Sequence, residues 1–369
     1  MVPSDLKYMK RALQLARRGI GKTTPNPMVG SVVVKDGEVI GEGYHRGPGQ
    51  PHAEVEALAR ARGRAVGAFL YTTLEPCCHT AKRTPPCTDL IIQCGVKQVV
   101  SAMNDPNPSV SGKGVQALRR AGIQVVNGLL EEEAARLNEA YVKYVTTGKP
   151  FVTLKIAMTL DGRIATREGV SRWVTGPAAR RDVHRFRSRS DAILTGIGTV
   201  MADDPQMTAR GVGGKNPLRV VVDPTLKIRR DAAILTSLDK ASTLILTTSD
   251  APATKRDYLQ RQGVQVEEIS SVKGIIPFAA ILKKLGSLGV VHLWVEAGGG
   301  LNGVALRSGE VDKVFCYIAP ILLCGDDAKS AVSGKAVETL AHALHLKDLK
   351  INKIGADMKI EGHCVAAPT

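Results

Sequence analysis

The feature that most constrains this chain is the interruption at Thr146-Thr147-Gly148-Lys149-Pro150. Before it, helix-period and strand-period segments alternate, ending in a helical pattern over 130–145. A glycine and a proline then stop that helix, because proline neither donates the next backbone hydrogen bond nor tolerates the preceding turn. Beyond the stop, the apolar run FVTLKIAMTL restarts the alternation, which continues to the end of the chain. A length of 369 residues fits this division, since domains average about 150 residues and each half is long enough to bury its own core. The expectation is two α/β domains in tandem, 1–146 and 147–369, each with helices packed on a sheet.

In the first half Leu6, Met9, Leu13, Ala16 and Ile20 recur at helical spacing behind Ser4, a suitable N-cap. Val29 to Val34, a Lys-Asp-Gly-Glu turn and Val39-Ile40 read as a β-hairpin. Further helices are expected over 52–62, 88–94, 114–121 and 130–145, with strands over 68–74, 97–103 and 123–127. In the second half, strands are expected over 191–195, 218–223, 243–247 and 290–295.

Fifty Lys and Arg stand against 35 Asp and Glu, a net charge of +15. Residues 1–146 hold 19 basic and 13 acidic side chains and the rest 31 and 22, so no basic tail explains the excess. Such a balance favours an anionic partner: nucleic acid, an acidic membrane or a phosphorylated small molecule. Aromatic residues make up only 4% of the chain, which argues against a single-strand-binding surface built on stacking. No window approaches the roughly 18 apolar residues of a membrane helix, and the start MVPSDLKYMK has no signal-peptide character. A soluble, cytoplasmic protein with no membrane partner is expected.

Three of the seven cysteines, Cys77, Cys78 and Cys87, fall within eleven residues, a pattern of metal or redox chemistry rather than of a disulfide framework. His52-Ala53-Glu54 follows Pro51 at the start of a helix, Glu75-Pro76-Cys77 closes a strand, and Cys87 follows Pro85-Pro86. One imidazole and two thiolates fill three of zinc's four tetrahedral positions and leave one for water, the arrangement of a catalytic zinc. Glu54, two residues after the histidine, is then placed as the base acting on that water. H-x-E followed by P-C-x-x-C is the signature of zinc nucleobase deaminases, and the chain has its first part and a lengthened form of its second.

Six blocks, Pro25-Asn26-Pro27-Met28-Val29-Gly30, Gly43-Tyr44-His45, Pro51-His52-Ala53-Glu54-Val55, Thr73-Leu74-Glu75-Pro76-Cys77, Thr84-Pro85-Pro86-Cys87 and Asn104-Asp105-Pro106-Asn107-Pro108, resemble the bifunctional pyrimidine deaminase/reductase family of riboflavin biosynthesis. The resemblance implies a cytidine-deaminase-like three-layer domain in which His52, Cys77 and Cys87 hold one zinc and Glu54 shuttles the proton. It implies pyrimidine contacts from Asn26, His45, Asp105 and Asn107, and phosphate contacts from Arg83 and Thr84. The family usually places eight residues between its two cysteines; nine separate Cys77 from Cys87, so Cys78 competes for the second ligand position.

The second half has no G-x-G-x-x-G after its first strand, but Val295-Glu296-Ala297-Gly298-Gly299-Gly300-Leu301-Asn302-Gly303 sits at a strand-to-helix junction. Such a turn can present backbone N–H groups to a pyrophosphate, or can simply be a tight turn. Thr153-Leu154-Lys155, Thr159 to Ala165, Ser171 to Thr175, Gly196 to Val200, Asp203-Asp204-Pro205 and Arg219 to Asp223 resemble the reductase domain of the same family, which is similar to dihydrofolate reductase in fold. The resemblance implies NADPH contacts at Ala157, Trp173, Thr199, Asp203 and Gly298, Gly299, Gly300, Leu301, Asn302, Gly303 and Val304. It implies substrate contacts at Ser171, Arg187, Met207, Arg210 and Glu296, with Lys155 in proton transfer or in binding. Six arginines between Arg172 and Arg189 mostly read as a solvated helix face, although arginine suits bidentate phosphate recognition.

The function so implied is deamination of 2,5-diamino-6-(5-phosphoribosylamino)pyrimidin-4(3H)-one followed by NADPH-dependent reduction of its ribosyl group, in a homo-oligomer with a phosphorylated pyrimidine and no nucleic acid as its partner. A deaminase acting on a flipped base would also use the zinc motif and the +15 charge. It leaves Trp173 and the glycine turn after Glu296 without a role.

Overall fold

The computed structural model of the chain describes residues 3–78 and 85–365, the side chains of Pro3 and Ser4 excepted. It divides into two compact units, Met1–Gly148 and Lys149–Thr369.

The first unit runs α1 (Pro3–Ala16), β1 (Gly30–Lys35), β2 (Glu38–Tyr44), α2 (Ala53–Arg60), β3 (Phe69–Thr72), α3 (Cys87–Gln93), β4 (Gln98–Ser101), α4 (Lys113–Arg120), β5 (Gln124–Asn127), α5 (Glu131–Leu137) and α6 (Glu139–Thr147). Its sheet has the order β2-β1-β3-β4-β5; β1 is antiparallel to β2 and β3, and β3, β4 and β5 are parallel. Alternation sorts the strand residues onto two faces. Val32, Val34, Tyr71 and Val100 meet Met9 and Leu13 of α1 and Ala134 of α5, whereas Val33, Leu70 and Val99 meet Ala57 of α2, Ile91 of α3 and Leu118 of α4. The unit is therefore a three-layer sandwich.

Two expectations needed correction here. Helix α1 begins at Pro3, so Ser4 lies inside the helix instead of capping it, and α1 ends at Ala16 before a short 3₁₀ turn over Arg17–Gly19. The pattern over 130–145 is two helices, broken at Asn138. The Asn138 side chain accepts from the Met28 N–H at 2.8 Å and donates to the Met28 carbonyl at 3.0 Å, so a tertiary clasp outcompetes the helical register.

The second unit runs β6 (Phe151–Thr159), β7 (Arg163–Ala165), α7 (Pro177–Arg187), β8 (Ala192–Gly196), α8 (Ile197–Asp203), β9 (Leu218–Val222), β10 (Thr243–Thr247), α9 (Ala253–Arg261), β11 (Gln265–Glu268), α10 (Phe278–Ser287), β12 (His292–Glu296), α11 (Gly299–Arg307), β13 (Lys313–Ala319), β14 (Lys329–Ser330), β15 (His345–Ile354) and β16 (Asp357–Val365). Nine strands form one sheet in the order β11-β10-β9-β8-β12-β6-β13-β16-β15. The first seven of that order are mutually parallel, and β16 and β15 join antiparallel. One face packs Leu154, Leu194 and Val295 on Phe278 and Leu282 of α10 and on Ala305 of α11; the other packs Ile193, Val221 and Trp294 on Val183 of α7 and Leu259 of α9. Five of the seven parallel strands, β6, β8, β9, β10 and β12, are apolar runs, and these are the ones the sequence pattern identifies; β11, in which only Val266 is buried, and β13 are additions of the structure. β15 is largely exposed, and its Lys, Asp and Asn positions hide a strand within an apparently polar stretch.

Candidate active sites

In the first unit the site is assembled from element ends. His52 holds the N-cap position of α2 in extended conformation (φ −71°, ψ 163°), which puts Glu54 in the first turn. Helix α2 lies hard against β2 because that strand offers glycine: a Cβ on Gly43 would stand 2.2 Å from the Ala53 carbonyl oxygen, and one on Gly41 2.1 Å from that of Ala57. Cys77 lies five residues past β3, and Cys87 is the first residue of α3. The Cys87 N–H donates to Cys77 Sγ at 3.5 Å and the Thr88 N–H to the Cys77 carbonyl at 3.2 Å, folding the second cysteine back on the first.

His52 Nδ1 comes to 3.2 Å from Cys87 Sγ and 3.4 Å from Cys77 Sγ, and the three donor atoms lie within 4.8 Å of one another. A tetrahedral zinc, with bonds of about 2.3 Å to sulfur and about 2.0 Å to nitrogen, holds such donors about 3.5 Å apart, so the residues fit the metal. The Cys87 thiol bonded to Cys77, with His52 behind it, pulls the Cys77 thiol far down; that same bond and burial push Cys87 up. One thiolate and one thiol sharing a proton is what a soft dication would replace. Glu54 is 4% exposed, and burial raises its carboxyl to about 7 against the opposing charge of His52.

Around this cluster His45 stands edge-on to His52, ring centroids 5.4 Å apart. Asn26 Nδ2 donates to His45 Nε2 at 3.0 Å, so Nδ1 of that ring carries the proton and donates to the Pro51 carbonyl at 3.2 Å. Asp105 is buried and accepts the Asn107 N–H at 2.9 Å and the Tyr141 hydroxyl at 3.0 Å. Cys78 is half-buried and does not join His52, Cys77 and Cys87 in the cluster. Arg83 and Thr84 lie outside the described residues. Glu75 and Tyr141 are not among the residues expected at the site, although Glu75 sits in the Glu-Pro-Cys block beside Cys77.

In the second unit Glu296 ends β12 beside Lys155 of β6, its register partner. Its carboxylate accepts Arg187 Nε at 2.6 Å and Nη2 at 2.7 Å and the Trp294 indole N–H at 2.8 Å, with Lys155 Nζ at 3.7 Å. Burial would raise this carboxyl, but Arg187 and Lys155 hold it at about 2; burial also pushes the Lys155 ammonium down, with Arg187 adding to the effect. Arg187 Nη1 donates to the Thr208 carbonyl at 3.1 Å, so little of this guanidinium is left for a phosphate. The Arg210 guanidinium donates to Thr208 Oγ1 at 3.0 Å, and Met207 is buried with φ +53°. His184, absent from the sequence reading, sits between these arginines, and burial lowers its pKa.

Ser171 donates to Asp203 at 2.6 Å, Arg172 bonds the Asp203 carbonyl, and Trp173 is 66% exposed with the Arg180 guanidinium 4.5 Å from its ring. Thr199 Oγ1 accepts the Gly298 N–H at 3.1 Å, joining α8 to the glycine turn. Ala157 lies on β6 two residues beyond Lys155. The glycines divide by role: a Cβ on Gly299 or Gly303 would stand 2.3 or 1.9 Å from the carbonyl oxygens of Ser330 and Ser333, whereas Gly300 faces open space. Two of them thus serve close packing, and Leu301 and Val304 pack on the core. The first turn of α11, where Gly300 leaves the backbone open, fits an approaching anion; Asn302 contributes no donor to it, since its Nδ2 is spent on the Ala331 carbonyl at 2.9 Å.

Residues 3–103 match the cytidine and deoxycytidylate deaminase zinc-binding region, and residues 150–360 match the RibD C-terminal domain. The chain is 42% identical to the riboflavin biosynthesis protein RibD of Actinobacillus pleuropneumoniae, covering 97% of this chain and 95% of that one. It is also 42% identical to RibD of Escherichia coli, covering 98% and 100%. Among solved structures, Acinetobacter baumannii RibD superposes with a TM-score of 0.88 at 39% identity, covering 98% of this chain and 99% of that one. The Thermotoga maritima diaminohydroxyphosphoribosylaminopyrimidine deaminase/5-amino-6-(5-phosphoribosylamino)uracil reductase gives 0.84 at 35%, with the same coverage. With a zinc-binding deaminase region and a reductase region matched in one chain, along nearly its whole length, this protein belongs to the RibD family of bifunctional deaminase/reductases of riboflavin biosynthesis.

Proposed function

We propose that residues 1–146 hydrolytically deaminate 2,5-diamino-6-(5-phosphoribosylamino)pyrimidin-4(3H)-one and that residues 147–369 use NADPH to reduce the ribosyl group, giving 5-amino-6-(5-phosphoribitylamino)uracil. The observation that carries the first half is the set of three soft donors within 4.8 Å of one another, with a buried carboxylate in the adjoining helical turn. Zinc held by His52, Cys77 and Cys87, one ion per chain, supplies Lewis acidity toward a water. Glu54, poised near neutrality by burial, takes a proton from the attacking water and returns it to the leaving amine. Asn26, His45, Asp105 and Asn107 orient the pyrimidine, and Arg83 and Thr84 reach its phosphate.

In the second half NADPH, held at Ala157, Trp173, Thr199, Asp203 and the turn Gly298 to Val304, supplies the hydride. Lys155 provides the balancing proton, and Ser171, Arg187, Met207, Arg210 and Glu296 contact the substrate. Support comes from the depressed Lys155 ammonium beside Glu296 in a buried cluster. Arg210 is the arginine with more donors to spare for the phosphate.

The enzyme acts in the cytoplasm as a homo-oligomer; no helix among the described residues is long and apolar enough to cross a membrane. The outermost strand β15 exposes Leu349 and Ile351 (55% and 66%), which supports self-association, and sedimentation at the 39.3 kDa monomer mass would refute it. The deciding experiment follows ammonia release and NADPH oxidation separately on the pyrimidine substrate. Ammonia release without NADPH, and NADPH oxidation only after deamination or with the deaminated compound, is expected. Absence of either activity refutes that half.

A further inference from the structure

Glu75 has no place in the chemistry above, yet its carboxylate accepts four hydrogen bonds. It is 3% exposed and lies two residues before Cys77. Oε2 accepts the backbone N–H of Asp105 at 3.1 Å and of Gly112 at 2.9 Å; Oε1 accepts those of Gly114 at 2.8 Å and Val115 at 3.1 Å. Four acceptor sites are what a carboxylate offers, and here all four go to main chain.

The donors belong to two pieces of structure. Asp105 opens the Asn-Asp-Pro-Asn-Pro loop, and Gly112, Gly114 and Val115 surround the start of α4. An anion is favoured there, where helix N–H groups lack partners. A helix ordinarily takes its cap from its own N-cap side chain. The N-cap of α4 is Gly112, at φ +74° and with no side chain, and the cap comes instead from a residue 37 positions earlier, beside a metal ligand. Gly114 makes the joint tight, since a Cβ there would stand 2.0 Å from the Pro76 carbonyl oxygen. The first turn of α4 therefore rests on the segment that leads into Cys77. From its other side Asp105 is held by the Tyr141 hydroxyl.

We propose that Glu75 is a positioning residue of the deaminase site: its carboxylate fixes the spacing between the Cys77 end of the metal cluster and the Asp105–Asn107 loop, and so governs substrate affinity. The proposal rests on the assignment of Asp105 and Asn107 to the pyrimidine pocket. It separates three functions that a structural role would blur: metal retention belongs to His52, Cys77 and Cys87, proton transfer to Glu54, and placement of the ring to a loop that Glu75 holds.

The test uses the full-length, zinc-loaded enzyme. Glu75→Gln keeps the shape of the side chain but turns an NH2 toward two of the four N–H donors. The expected result is a deaminase KM raised about tenfold or more with kcat within about threefold, since small misplacements of bound substrate are costly. Zinc content and both reductase constants stay at wild-type values, and amide hydrogen exchange quickens over 104–115 while β1 and β3 keep their protection. A folded, zinc-loaded E75Q with wild-type KM overturns the proposal, as does one whose kcat and zinc content fall together at unchanged KM. If E75Q does not fold, Gly114→Ala carries the same test, because its Cβ must push α4 off Pro76; an unchanged KM there is equally fatal. Asp105→Ala separates the premise from the inference. Wild-type KM in D105A sinks the pocket assignment, whereas a raised KM in D105A beside an unchanged one in E75Q sinks Glu75 alone.

Discussion

Around His52 the buried groups are an imidazole, two thiols and a carboxyl, and the arrangement leaves negative charge and protons in competition: Cys77 is pulled down while Cys87 and Glu54 are pushed up. Around Glu296 the situation is reversed. That carboxylate meets a bidentate guanidinium, an ammonium and an indole N–H, all supplied by the fold. Both clusters are buried and polar, and burial of charge is tolerated only when it is compensated. The second cluster is compensated by ion pairs and hydrogen bonds from side chains that cannot leave. In the proposed function the first is compensated by a cation that can be removed, and the two activities of one chain therefore fail under different treatments.

The largest effect expected follows from that difference. A chelator, or Cys87→Ser, abolishes ammonia release and strips the metal, while NADPH oxidation on the deaminated substrate continues at the wild-type rate. Deamination that survives complete removal of zinc, measured by metal analysis on the same sample, would break the comparison at its root. Next comes Glu54→Gln, which keeps the site's shape and its three metal donors. Zinc content is expected to hold while deaminase kcat falls by about 10²- to 10⁴-fold, the usual worth of a positioned acid or base. Retained turnover in that variant would move the proton-transfer role elsewhere.

An acid titration sharpens the comparison from the other side. Glu296 falls from its ordinary 4.5 to about 2 in the folded state. A carboxyl with a depressed folded pKa contributes stability that is fully present above its unfolded pKa and is lost as pH drops toward the folded one. The window is thus pH 4.5 down to about 2, and the full difference is worth about 3 kcal/mol as an upper figure. Both tryptophans of the chain, Trp173 and Trp294, lie in the second unit, so tryptophan fluorescence reports its unfolding alone. Denaturant midpoints followed this way should fall between pH 5 and 3 in the wild type and fall less steeply in Glu296→Gln. Equal slopes would mean that the cluster is not held by charge.

The same contrast governs how much could be read from the sequence. The three side chains that the structure brings together were legible because their order is local and each sits at an element boundary marked by proline: His52 after Pro51, Cys77 after Pro76, Cys87 after Pro86. Apart from Trp294, two residues from Glu296, the partners of Glu296 and Glu75 are not local. Arg187 is 109 residues from Glu296, and the N–H groups that Glu75 accepts lie 30 to 40 residues away, so no spacing rule announces them. The glycine turn was legible as a turn, but only packing tells Gly299 and Gly303, pressed against carbonyls, from Gly300, open to a ligand. The break at Asn138 was hidden for the same reason, since its partner Met28 is 110 residues away. Apolar runs identified five of the parallel strands and gave no warning of β11 and β13, or of β15, whose polar side chains face solvent.

Trp294 allows the finest test of the self-compensated cluster. Its ring is fully buried, stacked on Phe186 with centroids 5.2 Å apart and planes 2° from parallel, and next to Phe186 stands Arg187. Helix α7 thus grips β12 twice, ring on ring and guanidinium on carboxylate, with the indole N–H as the third bond to the same carboxylate. Trp294→Phe keeps an aromatic ring in the stack and removes that one donor. A hydrogen bond to a charged acceptor is worth about 1.5–3 kcal/mol at most, and here two Arg187 bonds remain to hold Glu296. The expected loss is therefore about tenfold or less in reductase kcat/KM, with deamination unchanged. A much larger loss would show that Glu296 is aimed by the indole rather than by Arg187; no loss at all would show that Arg187 alone suffices.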